Sequence, residues 1–336
     1  QPWWMRALNR IGGLAPAAVQ PNAENWWAKA CAAEPEIGAP AQRAREGLAT
    51  LADSLAHDAR LHLVGRISAR DDSVRLAHTH LRIERALREA PEIAQTVLPA
   101  PIFIIGLPRS GTTFLHRLLS MDPAARTIPY WESYDPVPPR AGADTRVAKL
   151  DRMLAQLARI SPAYQAIHPM SAGSAEECVA LFMNELRSLQ FDIQYHVPGY
   201  VKWLLSEDAR IAYEGYHRQL QLIQHHRPHG VRFVLKDPTH LVHLTTVLEV
   251  FPTAKLVFTH RDPAFAFSSI CSLYAHTRAI FSDDVDPHAL GREVMDGYWP
   301  PALDLAQQTR AALPPSRLTD VRHADLVRDP LGSVAK

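Results

Sequence analysis

Apolar residues in the first part of the chain fall at helical intervals. Leu48, Leu51, Leu55 and Leu63 keep near-helical spacing, as do Leu76, Ile83 and Leu87, and such spacing predicts amphipathic helices. Residues 1–98 are alanine-rich and read as a helical layer packed on the main domain, not as a separate functional module. At Pro99 the pattern changes. Ile102–Ile105 is a short continuous apolar run, as expected of a strand buried on both faces in a parallel sheet. The loop 106–111, bounded by two glycines, comes next, and 113–119 reads as a helix. The order is strand, loop, helix.

Residues 127–142 hold Pro129, Pro136, Pro138 and Pro139 among Tyr130, Trp131 and Tyr134. Proline disfavours helix interiors and central strands, so this stretch is expected to be an ordered loop. Val147, Leu150, Leu154 and Leu157 then mark one face of a helix. Ser174 and Glu177 have the spacing of a capping box before Val179, Phe182, Met183 and Leu186, so Glu177 reads as a helix cap. A second strand–helix–strand unit follows: 232–235, a helix carrying Leu241, Leu244, Leu248 and Phe251, and 255–259. Spacing of this length implies a right-handed parallel crossover. Residues 99–336 are therefore expected to form an α/β domain, a parallel sheet flanked by helices, with 1–98 as an N-terminal helical layer. Ligands of such sheets bind at the carboxyl ends of the strands. The loop 106–111, Lys236 and Arg261 each follow a strand end, so three cation-bearing loops should converge on one crevice. There is no internal repeat and no low-complexity tract.

The 336 residues, 47% hydrophobic, are ample for one large core or two modest ones. A net charge of +1 provides no global field for nucleic acid or anionic lipid, so any anion site must be local. Cys31, Cys178 and Cys271 lie far apart without metal-type spacing; a disulfide framework is not expected, and a reducing, cytoplasmic setting is. No stretch approaches about 18 uninterrupted apolar residues, so no membrane span is expected. The start at Gln1 shows neither a long apolar segment with a cleavage site nor an initiator methionine, which leads us to expect a processed or trimmed chain.

Gly106 and Gly111 keep the two-glycine spacing of a phosphate-binding P-loop, but Thr112 stands where that loop has its lysine. The cation sits inside the loop, at Arg109. Lysine and magnesium normally handle the β- and γ-phosphates of a triphosphate, so this loop suits a smaller anion and points away from a kinase or ATPase. The backbone N–H groups of 109–113 and the following helix N-terminus can bind a phosphate without metal. Arg109 adds a forked donor set, and Thr112 and Thr113 add hydroxyls.

The run Pro-Arg-Ser-Gly-Thr-Thr at 108–113 resembles the 5′-phosphosulfate loop of sulfotransferases that use 3′-phosphoadenosine 5′-phosphosulfate (PAPS). His260-Arg261-Asp262-Pro263, with Ser269 eight residues after Arg261, resembles their 3′-phosphate motif. Leu235-Lys236-Asp237-Pro238 resembles the central lysine strand, much as in the tyrosylprotein branch, and Trp131-Glu132 followed by the run 136–139 is similar to bacterial members. The resemblance runs from about Pro99 to the end. It implies a P-loop-like sulfotransferase fold and an enzyme that moves a sulfuryl group from PAPS to a hydroxyl of a small, hydrophobic alcohol or phenol. PAP is released and no metal is needed. Arg109, Ser110, Gly111, Thr112, Thr113 and Lys236 would hold the phosphosulfate; Arg261 and Ser269 would share the 3′-phosphate. Lys236 and Arg109 would stabilise charge on the leaving phosphate.

Three residues are candidates for the general base that takes the acceptor proton. Glu132 lies 21 residues after Gly111, close to where the tyrosylprotein branch places a catalytic glutamate; it also reads as a buried partner for Arg126. His168 precedes the capped helix. His240 follows Lys236 by four residues, whereas the cytosolic branch has its histidine two after the lysine. His116 reads as a packed histidine, and the histidines at 225–229 as a solvated helix end rather than a metal site. Tyr130, Tyr134, Tyr164, Tyr195, Tyr200 and Trp203 are aromatic candidates for an acceptor pocket, suited to a lipid-like or phenolic alcohol; a carbohydrate acceptor stays open too, because aromatic faces also stack on sugars. Because the family continues well beyond the strand-like 318–322, further donor contacts are expected beyond Lys336. Two other classes stay open: an ATP-dependent P-loop phosphotransferase, and an inactive sulfotransferase-like binding protein.

Overall fold

A computed structural model describes residues 3–13, 19–34, 38–162 and 169–335. Five strands form one sheet: β1 (Ile102–Ile105), β2 (Ala125–Arg126), β3 (Arg232–Lys236), β4 (Lys255–His260) and β5 (Leu318–Arg322). Their order is β2-β3-β1-β4-β5, and every pairing is parallel. The apolar run at β1 is explained by its place: it is the central strand, with Phe103, Ile104 and Ile105 fully buried. Strands β3 and β4 lie on either side of it, so the second strand–helix–strand unit straddles β1.

The sheet buries one face on a large cluster that includes Phe103, Leu235, Phe258, Tyr216 and Trp299. The other face packs Ile104, Val234 and Leu115 with Leu326. The N-terminal region is helical as expected: α1 (Trp3–Gly13), α2 (Ala23–Ala33), α3 (Gly38–His57) and α4 (Leu63–Glu89). Its core is shared with the rest of the chain. Trp26, Trp27, Leu48 and Leu51 cluster with Phe191 and Tyr200. Gly65 of α4 lies so close to the Phe281 carbonyl that a Cβ there would sit 2.0 Å from its oxygen.

Two local expectations need correction. Within 127–142 the chain forms a short helix, α6 (Tyr130–Tyr134), after α5 (Thr112–Leu119). Pro129 stands at its N-cap, where its carbonyl accepts from the Glu132 and Ser133 N–H groups and its missing N–H costs nothing. The capping box is not formed. The helix Val179–Asn184 begins after Cys178 without a side-chain cap, and the Ser174 hydroxyl turns back to the Ser171 carbonyl at 2.9 Å. Glu177 is left free for another role. The helix α7 (Arg146–Ile160) buries Leu150 and Leu154, as the spacing predicted.

Candidate functional site

The loop after β1 is held by its own polar atoms. The Ser110 hydroxyl donates to the Leu107 carbonyl at 2.7 Å and lies 2.6 Å from the Thr259 hydroxyl at the end of β4. The Ser110 N–H also bonds to Leu107. Ser110 thus braces the loop against the end of β4. Gly106 must be glycine for the same reason: a Cβ would lie 2.1 Å from Thr259 Oγ1. Arg109 and Gly111 both take left-handed backbone, φ 70° and 94°, and this turns the loop into the start of α5. The first N–H groups of that helix have no intrahelical acceptor, so they supply a local positive end for an anion.

Two further cations converge here. Lys236, at the carboxyl end of β3, is fully buried; its Nζ donates to Thr113 Oγ1 at 3.2 Å and pairs with the Glu177 carboxylate. Arg261, just past β4, donates from Nη1 to the main-chain carbonyl of Arg109 at 2.6 Å. The Arg109 side chain in turn donates from Nε to the Ser269 hydroxyl at 3.1 Å. Asp262 does not pair with Arg261; its carboxylate caps the helix Pro263–Arg278 by accepting from the Ala264 N–H at 2.9 Å. Arg109, Arg261 and Ser269 therefore form one connected group, and the expected crevice exists.

Arg109 and Arg261 open into a cavity of about 730 Å³, while Ser269 and Lys236 are not among its lining residues. Arg109, Gly111, Thr112, Thr113, Glu177 and Arg261 line it. Its wall also carries apolar and aromatic side chains, among them Tyr134, Met153, Leu157, Ile193, Tyr195 and Phe281. The N-terminal helices take part: Met5 of α1 and Ser68, Asp72 and Arg75 of α4 also line it. Arg75 pairs with Asp72 at 2.8 Å and lies over the Tyr134 ring, 3.9 Å from its centre. Of the aromatics named from sequence, Tyr130, Tyr134 and Tyr195 reach the wall. Tyr200 and Trp203 instead pack in the cluster shared with the N-terminal helices, and Tyr164 lies outside the described residues.

The base candidates separate clearly. Glu132 is buried in an ion pair with Arg126 at 2.8 Å, with Arg227 3.9 Å away, and is not among the cavity-lining residues. Its Arg126 partnership is the part of the expectation that the geometry keeps. His240 is buried too, its Nδ1 2.8 Å from the Tyr213 hydroxyl; burial pushes its pKa down to about 3, and it also stays off the wall. His168 lies outside the described residues. The carboxylate beside Lys236 that does face the cavity is Glu177, which the capping-box reading concealed. Asp237 lines the cavity as well, but its Oδ1 accepts from the Thr239 N–H and hydroxyl at 2.9 and 2.8 Å.

Two more residues escaped the sequence reading. Thr259 braces the loop, and nothing local marks a threonine near a strand end. His323, on the helix His323–Arg328 after β5, lines the cavity beside Gly111 and Arg261; burial and the Arg261 charge lower its pKa. His116 is packed as expected, its Nε2 3.1 Å from the Val234 carbonyl, and burial and Lys236 bring its pKa down to about 4. Among the described residues no group of three or more His, Cys, Asp or Glu side chains is arranged to hold a metal, and no helix is long and apolar enough to cross a membrane.

Fold and site together define a parallel α/β protein whose loop after β1 opens into a cavity lined by both cationic and apolar side chains. The sulfotransferase family model matches residues 101–336, and the chain belongs to that family. It is similar to sulfotransferase STF1 of Mycobacterium tuberculosis H37Rv, whose crystal structure superposes with a TM-score of 0.83 at 32% identity, covering 94% of this chain and 88% of that one. Sulfotransferase STF9 of Mycobacterium avium superposes with a TM-score of 0.82 at 26% identity, covering 94% and 82%. A curated relative, omega-hydroxy-beta-dihydromenaquinone-9 sulfotransferase Stf3 of Mycobacterium bovis, is 27% identical over 259 residues, 73% of this chain. The chain spans 63% of the length of that relative.

Proposed function

We propose that this protein transfers a sulfuryl group from PAPS to the hydroxyl of a hydrophobic acceptor. The observation that carries the reading is the single cavity in which Arg109, Arg261 and the α5 N-terminus share a wall with Tyr134, Leu157 and Ile193. Cationic and apolar side chains share one wall, as a charged donor and a lipid-like alcohol require. Family membership and the Stf3 relative, whose name describes a sulfotransferase of a hydroxylated menaquinone, support the same class.

The α5 N–H groups, Arg109 and Thr113 bind the 5′-phosphosulfate. Arg261 and Ser269, joined through Arg109, bind the 3′-phosphate. The acceptor oxygen forms a bond to sulfur as the bond from sulfur to the 5′-phosphate oxygen breaks, and that oxygen keeps the electron pair. Lys236 neutralises the charge that develops there. Glu177, next to Lys236 and open to the cavity, takes the acceptor proton. The Lys236–Glu177 pair keeps both groups in place until substrate divides them between leaving group and nucleophile.

Calorimetry with PAP, AMP and ATP tests the donor site: micromolar binding of PAP alone is expected, and equal binding of AMP would remove the role given to Arg261 and Ser269. Labelled PAPS with a panel of alcohols and phenols, with and without EDTA, tests the transfer. Product on long-chain alcohols that is insensitive to EDTA is expected; no product on any acceptor would leave only a binding protein.

A further inference from the structure

The helix α1 presents its larger face to solvent. Trp3 is 75% exposed, Trp4 41%, Leu8 44% and Ile11 62%. With 3.6 residues per turn, Trp3, Ala7, Ile11, Trp4 and Leu8 fall in that order around a continuous arc of about 140°. The opposite, narrower side is the one that packs: Met5 is fully buried, Asn9 Oδ1 accepts from the Val64 N–H at 3.1 Å, and Gly12 sits against Leu63. Arg6 and Arg10 are exposed along one border of the arc. Scattered single apolar residues on a surface need no explanation, but a contiguous patch rimmed by cations does.

The composition of this face selects its occupant. Tryptophan is amphipathic and settles at the headgroup level of a bilayer. Arginines beside it match anionic headgroups. A helix with this division lies in the interface plane and does not span it. The net charge of +1 supplies no long-range attraction, so the match is local to α1. The position supports the same occupant. Met5, on the packed side of α1, belongs to the wall of the apolar chamber, so the exposed arc and the chamber are separated by the thickness of one helix.

We infer that α1 docks this protein on the surface of a bilayer that carries anionic phospholipid, and that the acceptor enters the chamber from that side. The docking stands on α1 itself; the entry of the acceptor rests on the sulfuryl-transfer reading. The probe is co-sedimentation of the whole chain with phosphatidylcholine vesicles, pure or with about one third phosphatidylglycerol. The wild type is expected to sediment with the mixed vesicles and far less with the pure ones. Trp3→Ser/Trp4→Ser/Ile11→Ser, which leaves Met5 in place, should weaken that binding at least about tenfold, a change of about 1.4 kcal/mol. Arg6→Glu/Arg10→Glu should abolish the preference for phosphatidylglycerol. Unchanged calorimetric PAP binding shows that the variants are folded. Vesicle binding that survives the triple substitution, or wild type that binds no vesicle, overturns the inference. So does a wild-type dimer in sedimentation velocity that the triple substitution converts to monomer, because a second copy would then cover the face. The vesicle readout involves no nucleotide, so it stands or falls separately from the proposed activity.

Discussion

Lys236 and Glu177 form an ion pair whose two ends face different surroundings: the lysine side chain is fully buried and the glutamate side chain 21% exposed. The lysine reaches the pair from the end of β3, with Thr113 Oγ1 as its second partner at 3.2 Å. Glu177 arrives from the loop before the helix Val179–Asn184, held where the Cys178 N–H bonds to the Lys236 carbonyl at 3.0 Å. The pair thus joins the start of α5 to the segment that carries Glu177. In the proposed reaction the cation serves the leaving group and the carboxylate the nucleophile, and the two are adjacent before any substrate binds.

Replacing Glu177 by glutamine keeps the shape and a hydrogen-bond acceptor for Lys236 but removes the base. A positioned base contributes about 10²–10⁴-fold, so kcat should fall by at least about two orders of magnitude while PAP binds as before. Rapid-quench turnover with calorimetry on the same variant separates the effects. A loss confined to PAP affinity, with kcat intact, would make Glu177 a support for Lys236 and nothing more.

Removing Arg261 should erase the distinction between PAP and AMP. Hydrogen bonds to charged groups contribute about 1.5–3 kcal/mol, so Arg261→Ala is expected to weaken PAP by roughly 10- to 150-fold and leave AMP nearly unchanged. Ser269→Ala should do the same to a smaller degree, because the hydroxyl supplies one bond. Titrations of both nucleotides against each variant check this; parallel losses for PAP and AMP would place Arg261 in loop support through the Arg109 carbonyl, not in phosphate binding.

Much of this arrangement was legible because it is local. The apolar run at β1, the glycine spacing of the loop and the cations at strand ends are patterns within a few residues, and all three loops meet as expected. The misreadings came from groups whose partners are distant in sequence. Glu177 matched a capping box at the same spacing that brings it to Lys236, 59 positions away. The brace from Ser110 to Thr259 spans 149 positions and leaves no local mark in the sequence. Glu132 is the exception: its partner Arg126 lies only six positions away, and that pairing is legible in the sequence. No local pattern reveals that Met5 and Arg75 of the helical layer reach the chamber.

Gly106→Ala tests the brace between Ser110 and Thr259. The new methyl would lie 2.1 Å from Thr259 Oγ1 and 2.8 Å from the Thr259 carbonyl oxygen. The carbonyl belongs to β4 and cannot rotate away. Overpacking of this kind costs about 1–3 kcal/mol, so the melting temperature should fall and PAP binding weaken together. Wild-type melting in this variant would mean that the loop tolerates displacement from β4.

Asp237 gives a pH signature. Burial, and then the neighbouring Glu177 charge, push its carboxyl pKa up to about 7, above the value of about 3.9 in an unfolded chain. Between those values the folded protein holds a proton that the unfolded chain has released, so this group's contribution to stability falls as pH rises. Asp237→Asn mimics the protonated form and lacks that slope. Urea unfolding at pH 5 and pH 7 should show the wild type losing stability relative to the variant by up to about 1.4 kcal/mol per pH unit. A gap that does not move with pH would mean that Asp237 is ionised throughout.

The chamber makes the last prediction, on acceptor length. Leu157 of α7 lines the cavity and is only partly buried, so a larger side chain can enter the cavity without disturbing the core. Leu157→Trp would occupy space otherwise available to the distal part of an acceptor. Excluding two methylenes from apolar contact removes about 1.6 kcal/mol, roughly a 15-fold rise in KM, and the effect should grow with chain length in a series of primary alcohols. Short alcohols that do not extend to Leu157 should be turned over at the wild-type rate, and PAP affinity should stay unchanged. A uniform loss across the series would show that the substitution disturbs the reacting end, and no loss at any length would mean that acceptors take a different path through the protein.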